Sequence, residues 1–170
     1  MDQRVLKTLN YYNGIASGYK ELYHNEQKQK INYILKYLPK MGYVLDLGSG
    51  DGVFNEFVSK NIQIISVDLS FELLKLNFNN LKLNASILNL PFKSNSFEFI
   101  VSFSVFQDLP DIEKGVLEVY RVLKKEGVLI VSFLHMSSKS DKLVELFEQN
   151  FDLIEKIKEE KDWIIVVKKK

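Results

Sequence analysis

The stretch Asp46-Leu47-Gly48-Ser49-Gly50-Asp51-Gly52 sets glycines at alternating positions directly after a short apolar run. A strand that turns through such glycines into a helix lets the backbone come close to a ligand and aims amide N–H groups at it. About 20 residues further on, Val67-Asp68-Leu69 offers a carboxylate able to accept hydrogen bonds from ribose hydroxyls. The pair predicts a nucleotide-type ligand in the crevice beyond the strand ends. A dinucleotide fingerprint has a small residue at the last position of Gly-x-Gly-x-x-Gly/Ala, where this chain has Val53. Asp46 also sets a negative charge where a pyrophosphate would be repelled, whereas a cofactor carrying an ammonium and a sulfonium would be attracted. The plainer alternative is an ordinary turn in which Asp68 caps the following helix.

Elements of alternating type must position these residues. Tyr12, Ile15, Ala16, Tyr19, Leu22 and Tyr23 recur at helical spacing, as do Ile31, Ile34, Leu35 and Leu38 before Pro39. Tyr43 to Leu47 reads as a buried strand, and Phe54, Phe57 and Val58 restart a helical period. Ile62 to Val67 reads as a strand. A helix from Ser70 follows, with Phe71, Leu74 and Phe78 on one face, and Ala85 to Leu88 is a weak strand. Phe97 to Phe103 is a stronger strand, and Asp111 to Lys124 an amphipathic helix closed by Glu126-Gly127. Val128 to Phe133 is apolar throughout and belongs in a sheet centre. A helix through Leu143, Phe147 and Phe151 precedes a hairpin of Leu153 to Ile157 and Trp163 to Val167, and Lys168-Lys169-Lys170 reads as a solvated end. The alternation predicts an α/β chain with a parallel, helix-covered sheet and an antiparallel closing step.

The 170 residues, 46% of them hydrophobic, suit one domain, with N-terminal lid helices in 1–40 and a cofactor-binding sheet and helices in 41–170. Lys plus Arg number 23 against 22 Asp plus Glu, so no whole-molecule field favours nucleic acid or anionic membrane. Cysteine is absent, which removes disulfides and thiolate metal sites. Neither a signal peptide nor a membrane span is visible, and a cytoplasmic location is the expectation.

The segment VLDLGSGDG, from Val44 to Gly52, resembles the first motif of the class I S-adenosylmethionine-dependent methyltransferases. Leu90-Pro91-Phe92, Ser96 to Ser102, Glu118 to Lys124 and Gly127-Val128-Leu129 resemble further stretches of the subgroup that includes the quinone-biosynthesis C-methyltransferases. The resemblance implies a three-layer Rossmann-like α/β fold with a mostly parallel seven-stranded sheet and an antiparallel C-terminal hairpin strand. It implies S-adenosyl-L-methionine as methyl donor, leaving S-adenosyl-L-homocysteine as product. By position, Asp46, Gly48, Ser49 and Gly50 would line its methionine part, Asp68 would bind ribose, and Leu69, Ile87 and Leu88 would lie against adenine. Ser102 and Phe103 would close the floor, and Tyr11, Tyr12 and Tyr19 fall in a segment similar to an aromatic lid helix, Tyr19 being the preferred contact. Ser86 departs from the family, which usually has an acid there, and Phe106-Gln107-Asp108 lacks the histidines that relatives often carry.

Methyl transfer from a sulfonium, already a strong electrophile, needs positioning of the nucleophile and exclusion of water, and a general base is optional. Asp108, beyond the fourth strand, is the candidate base, and a turn residue is the alternative. His135, after the fifth strand, is a second candidate, against an ordinary loop histidine. His24 and His135 lack the company of a ligand cluster, so no metal is expected. The methyl acceptor is unidentified, a small molecule being favoured over a macromolecule, and an activating protein subunit could complete recognition. A nicotinamide-dependent oxidoreductase and a non-catalytic cofactor-binding subunit are the alternatives.

Overall fold

Apolar runs bounded by turn residues form the strands of one sheet. The computed structural model describes residues 3–170, the side chains of residues 19 and 21 excepted. Its strands β1 (Gly42–Leu47), β2 (Ile62–Asp68), β3 (Lys82–Asn84), β4 (Phe97–Phe103), β5 (Leu123–Leu134), β6 (Phe151–Lys158) and β7 (Asp162–Lys169) pair in the order β3-β2-β1-β4-β5-β7-β6. The pairings from β3 through β5 are parallel, and β7 runs antiparallel to both β5 and β6. The helices are α1 (Gln3–Ile15), α2 (Tyr19–Ile34), α3 (Phe71–Leu76), α4 (Ile112–Val122) and α5 (Ser140–Asn150). This is the mostly parallel Rossmann-like α/β arrangement expected. Strand order reverses at β1, which lies between β2 and β4, so the crevice for a ligand opens above the glycine turn.

Successive residues of a strand point to opposite faces, and both faces here are covered. Leu45, Leu47, Ile100, Leu129 and Val131 pack under Val116, Val119, Leu143 and Phe147 of α4 and α5. Val44, Ile64, Val101, Ile130 and Val166 pack under Ile31 and Ile34 of α2 and under Phe54. Helix α4 starts where Asp111 caps it, its carboxylate accepting from the Lys114 amide at 2.9 Å. The family-like Glu118 and Arg121 on α4 serve the scaffold: Glu118 accepts from the Leu90 amide at 2.7 Å, and Arg121 donates to the carbonyls of Leu90 and Phe92. They hold the loop that follows β3.

Several elements differ from the sequence reading. The first helical stretch is interrupted by a 3-10 turn at Ala16–Gly18. The period at Phe54 and Phe57 yields only a 3-10 turn, Val53–Glu56. Helix α3 ends at Leu76, because Asn77 turns extended and is buried, where its side chain accepts from Asn55 and from the Asn79 amide. Leu73 and Leu74 face the core in place of Phe71 and Phe78, which are exposed. The short edge strand is Lys82–Asn84, and residues 85 to 88 form a loop. Helix α4 stops at Val122 and passes straight into β5, so Glu126-Gly127 is a kink within a strand, with Glu126 at φ 63. Lys169 is buried rather than solvated. Its ammonium donates to the carbonyls of Tyr120 and Leu123 at 2.7 and 2.8 Å, and so caps the C-terminal end of α4. No helix among the described residues is long and apolar enough to cross a membrane.

Candidate functional site

A cavity of about 750 Å³, counting its open mouth, lies above the carboxyl ends of β1, β2 and β4. Gly48, Gly50, Asp68 and Leu69 form one wall, Ser86, Ile87 and Leu88 a second, and Phe103, Asp108 and Leu109 a third. Helix α1 crosses the mouth with Val5, Thr8 and Tyr12.

The glycine turn is pinned to β2. The amides of Gly48 and Ser49 donate to the Val67 carbonyl at 2.7 and 3.1 Å, and the Gly50 amide donates to Asp68 Oδ2 at 2.8 Å. The sequence reading expects these amides to face a ligand; instead they are consumed within the fold. Gly48 is required on two counts, since its φ is 72 and a Cβ there would meet Val105 at 2.2 Å. Asp68 Oδ1 also accepts from the Ser70 amide at 2.7 Å, but the cap of α3 is Ser70, whose hydroxyl accepts from the Leu73 amide at 3.2 Å, so Asp68 is not the helix cap of the alternative reading. A carboxylate has about four acceptor positions, and the cavity reaches the remainder. Burial pushes Asp68 above its ordinary pKa, against the lowering effect of its backbone donors.

Asp46 sits in β1 beneath the turn, 2% exposed. Its Oδ2 and the Ser49 hydroxyl have no hydrogen-bond partner among the described residues. Burial, and then the charge of Asp68, push Asp46 up to about 8. Neither Asp46 nor Ser49 is part of the cavity wall itself, which the turn reaches through Gly48 and Gly50; orphaned buried oxygens flanking that wall fit a ligand that brings a cationic donor, which the ammonium of S-adenosylmethionine would be.

The other candidates fall into place unevenly. Ile87, Leu88, Leu69 and Phe103 supply apolar wall. Ser86 also lines the wall, but its hydroxyl accepts from the Leu88 amide at 3.2 Å and so shapes the loop. Ser102 is fully buried and donates to the Leu47 carbonyl at 2.8 Å, a tie between β4 and β1 rather than a floor. Asp108 lines the pocket and accepts from the Tyr12 hydroxyl at 2.8 Å; burial raises its pKa against the lowering effects of Tyr12 and Lys139. His135 is drawn elsewhere. Its ring contacts the Glu160 carbonyl at 3.1 Å and its amide the Lys161 carbonyl, which places it on the β6–β7 turn and outside the pocket wall. The Tyr19 side chain lies outside the described residues; Tyr12 of α1 lines the pocket. Among the described residues no cluster of histidines and acids could hold a metal.

Sequence reasoning misses Ser104, Val105 and the buried Lys30 behind them. A signal existed for Lys30. Gln27, Lys30, Ile31 and Ile34 follow helical spacing on the buried face of α2, and a lysine within an apolar stripe marks a polar site.

A family described as Methyltransferase domain matches residues 45–131. The chain is 34% identical over 133 residues to the ubiquinone/menaquinone biosynthesis C-methyltransferase UbiE of Rickettsia bellii, covering 67% of this chain and 53% of that one. It is 34% identical over 104 residues to the malonyl-[acyl-carrier protein] O-methyltransferase of Hamiltonella defensa, covering 58% of this chain and 40% of that one. The chain thus spans about half or less of these curated relatives' length. A solved structure of a Haloferax volcanii putative methyltransferase, in complex with the Trm112 methyltransferase activator, superposes with a TM-score of 0.79 at 16% identity, over 93% of this chain and 97% of that one.

Proposed function

The chain belongs to the class I S-adenosylmethionine-dependent methyltransferases, and from that premise we propose that the cavity above β1, β2 and β4 binds S-adenosylmethionine and delivers its methyl group to a small molecule. The observation that carries the reading is the pairing of the buried carboxyl of Asp46 and the half-buried carboxyl of Asp68 with a glycine turn whose amides are already spent on β2. A pyrophosphate would meet carboxyl oxygens and few donors here, and would hold Asp46 in its uncharged form. A positively charged amino acid group and a ribose meet acceptors. That contrast counts against a nicotinamide-dependent oxidoreductase.

When bound, the sulfonium supplies an activated methyl group that needs no further electrophilic assistance. The residues of this chain then divide the remaining work. Asp46 and Ser49 hold the amino acid end, Asp68 the ribose hydroxyls, and Leu69, Ile87 and Leu88 the flat apolar ring. Tyr12 and Val5 of α1 exclude water over the mouth. Asp108, with its pKa raised by burial, receives the acceptor's proton where the acceptor carries one, and Tyr12 orients its carboxylate.

The relatives named above methylate at carbon and at oxygen, so the acceptor atom does not carry over. A protein subunit is a further proposal by analogy with the Haloferax neighbour; efficient label transfer by the chain alone would remove it. The central test is thermal. S-adenosylhomocysteine should raise the melting temperature and NAD should not, and radiolabelled S-adenosylmethionine with fractionated extract should label small molecules. A shift with NAD alone, or an Asp68→Ala variant that binds S-adenosylhomocysteine normally, would count decisively against the assignment.

A further inference from the structure

We propose that Ser104 is a specificity-determining hydrogen-bond donor to an oxygen of the methyl acceptor, aimed by the buried ammonium of Lys30. The inference rests on the reading that the pocket is the site of methyl transfer. Lys30 is completely buried on α2. Its ammonium donates to Glu26 Oε1 at 2.8 Å and to Ser104 Oγ at 2.7 Å, and it lies 2.6 Å from Asp162 Oδ2. An ammonium has only donors to give, so the Ser104 oxygen must accept, and the hydroxyl's own proton points away from the cation. Ser104 lines the pocket. The proton therefore remains to be given to a ligand, and a hydroxyl polarised by a neighbouring cation is a stronger donor than an isolated one.

The backbone points the same way. Ser104 stands at φ 58, the left-handed region that favours glycine, directly after β4. It is held there from both sides: its amide donates to the Ser132 carbonyl at 2.9 Å, and its carbonyl accepts from the Gln107 side chain at 2.7 Å. A non-glycine residue kept in such a conformation, at a pocket wall, is a recognised mark of a functional position. Asp108 lies four residues on, across the 3-10 turn Phe106–Asp108, and lines the same pocket. A donor and an acid on one lip, with Val5, Leu109 and Pro110 around them, suit an acceptor that pairs an apolar body with a hydroxyl or carbonyl oxygen.

The test uses benzyl alcohol and toluene as probes of the protein loaded with S-adenosylhomocysteine, with affinities read from the amide NMR shifts of Phe103, Ser104 and Val105. In the unmodified protein benzyl alcohol should bind at this segment more tightly than toluene. Ser104→Ala should weaken benzyl alcohol by at least about fivefold while leaving toluene unchanged. Ser104→Gly, which relieves the positive φ and keeps the fold, should give the same selective loss. A double variant, Lys30→Met with Asp162→Leu, removes the charges together and should shrink the preference for benzyl alcohol by about twofold or more. An unchanged preference in that folded variant removes Lys30 from the proposal; if it does not fold, the Ser104 variants alone decide. Equal losses for both probes, or no shift of residues 103 to 105 with benzyl alcohol, overturn it. Calorimetry with S-adenosylhomocysteine, done first, separates the two readings: no binding there removes the pocket assignment itself, whereas intact binding with unselective Ser104 variants removes only this inference.

Discussion

Asp46 shows how a single residue can set stability against binding. In the unfolded chain an aspartate ionises near about 3.9, while in the fold burial and Asp68 raise it to about 8. Between those values the folded state holds more protons than the unfolded one, so stability falls as pH rises through that window, by at most about 1.4 kcal/mol per pH unit. Asp46→Asn should flatten this dependence and raise the melting temperature of the ligand-free protein at pH 7 to 8. Binding should move the opposite way. A cationic amino group favours the ionised carboxylate, so S-adenosylhomocysteine should release a proton at pH 7 and bind more tightly as pH rises towards about 8. The asparagine variant should lose that release and bind about tenfold more weakly, the loss of one charge-assisted interaction. Calorimetry in buffers of different ionisation enthalpy reads both. A variant that binds as well as the parent would show that Asp46 is merely a buried acid. At Gly48 the expectation is simpler. Gly48→Ala forces a Cβ against Val105 at a positive φ, and should abolish binding of S-adenosylhomocysteine while lowering the melting temperature.

Helix α1 is held over the pocket by polar ties and has no buried residue. Arg4 donates to the Pro110 carbonyl at 3.2 Å, Tyr12 to Asp108, and Asn13 accepts from the Ser70 hydroxyl at 2.6 Å. An element with little apolar burial opens at low free-energy cost. Tyr12→Phe should therefore speed amide hydrogen exchange across residues 3 to 15 severalfold, leave β1 and β4 protected, and slow methyl transfer by admitting water. Exchange unchanged in that segment would mean that α1 is anchored otherwise. The same scale shows what the sequence discloses. Strands β1, β2, β4 and the body of α4 are legible because their pattern agrees with their burial, and the Gly48 turn because only glycine suits its geometry. The segment after Gly52 misleads, since Phe54 is fully buried under the sheet while Phe57 is only half-buried at the margin of the core, beside His24. The Ala85 to Leu88 run is apolar for the pocket's sake, so its pattern imitates a strand three residues late. Tyr12 reaching Asp108 and Lys30 reaching Ser104 join residues 96 and 74 positions apart, which no local pattern reports.

Across the whole molecule, the N-terminal layer and the C-terminal hairpin meet at one buried ion cluster. Lys30 on α2 faces Asp162, the first residue of β7, and both are fully buried. Glu26 and Lys161 complete the group at 2.8 and 3.2 Å. Burial alone would push Glu26 up, but the hydrogen bonds and charges of Lys30 and Lys161 bring it below its ordinary value. At Asp162 burial prevails over the attraction of Lys30, and its pKa rises. Such a cluster is weak as a source of net stability and strong as a constraint, because removing one charge strands the others. Lys30→Met should cost about 3–5 kcal/mol in denaturant unfolding at pH 7, by leaving Asp162 ionised and unpaired in the core. The sign with pH follows from the raised Asp162: without its cation that carboxyl protonates more readily still, so the deficit should shrink as pH falls towards 5. Adding Asp162→Leu to Lys30→Met should recover most of the loss at pH 7, since an apolar pair of similar volume replaces a buried charge pair at little cost. A Lys30→Met variant with the parent's denaturation midpoint at pH 7 would mean that α2 and β7 are joined by apolar packing alone, and that Ser104 is held in its left-handed conformation by β5 without help from α2.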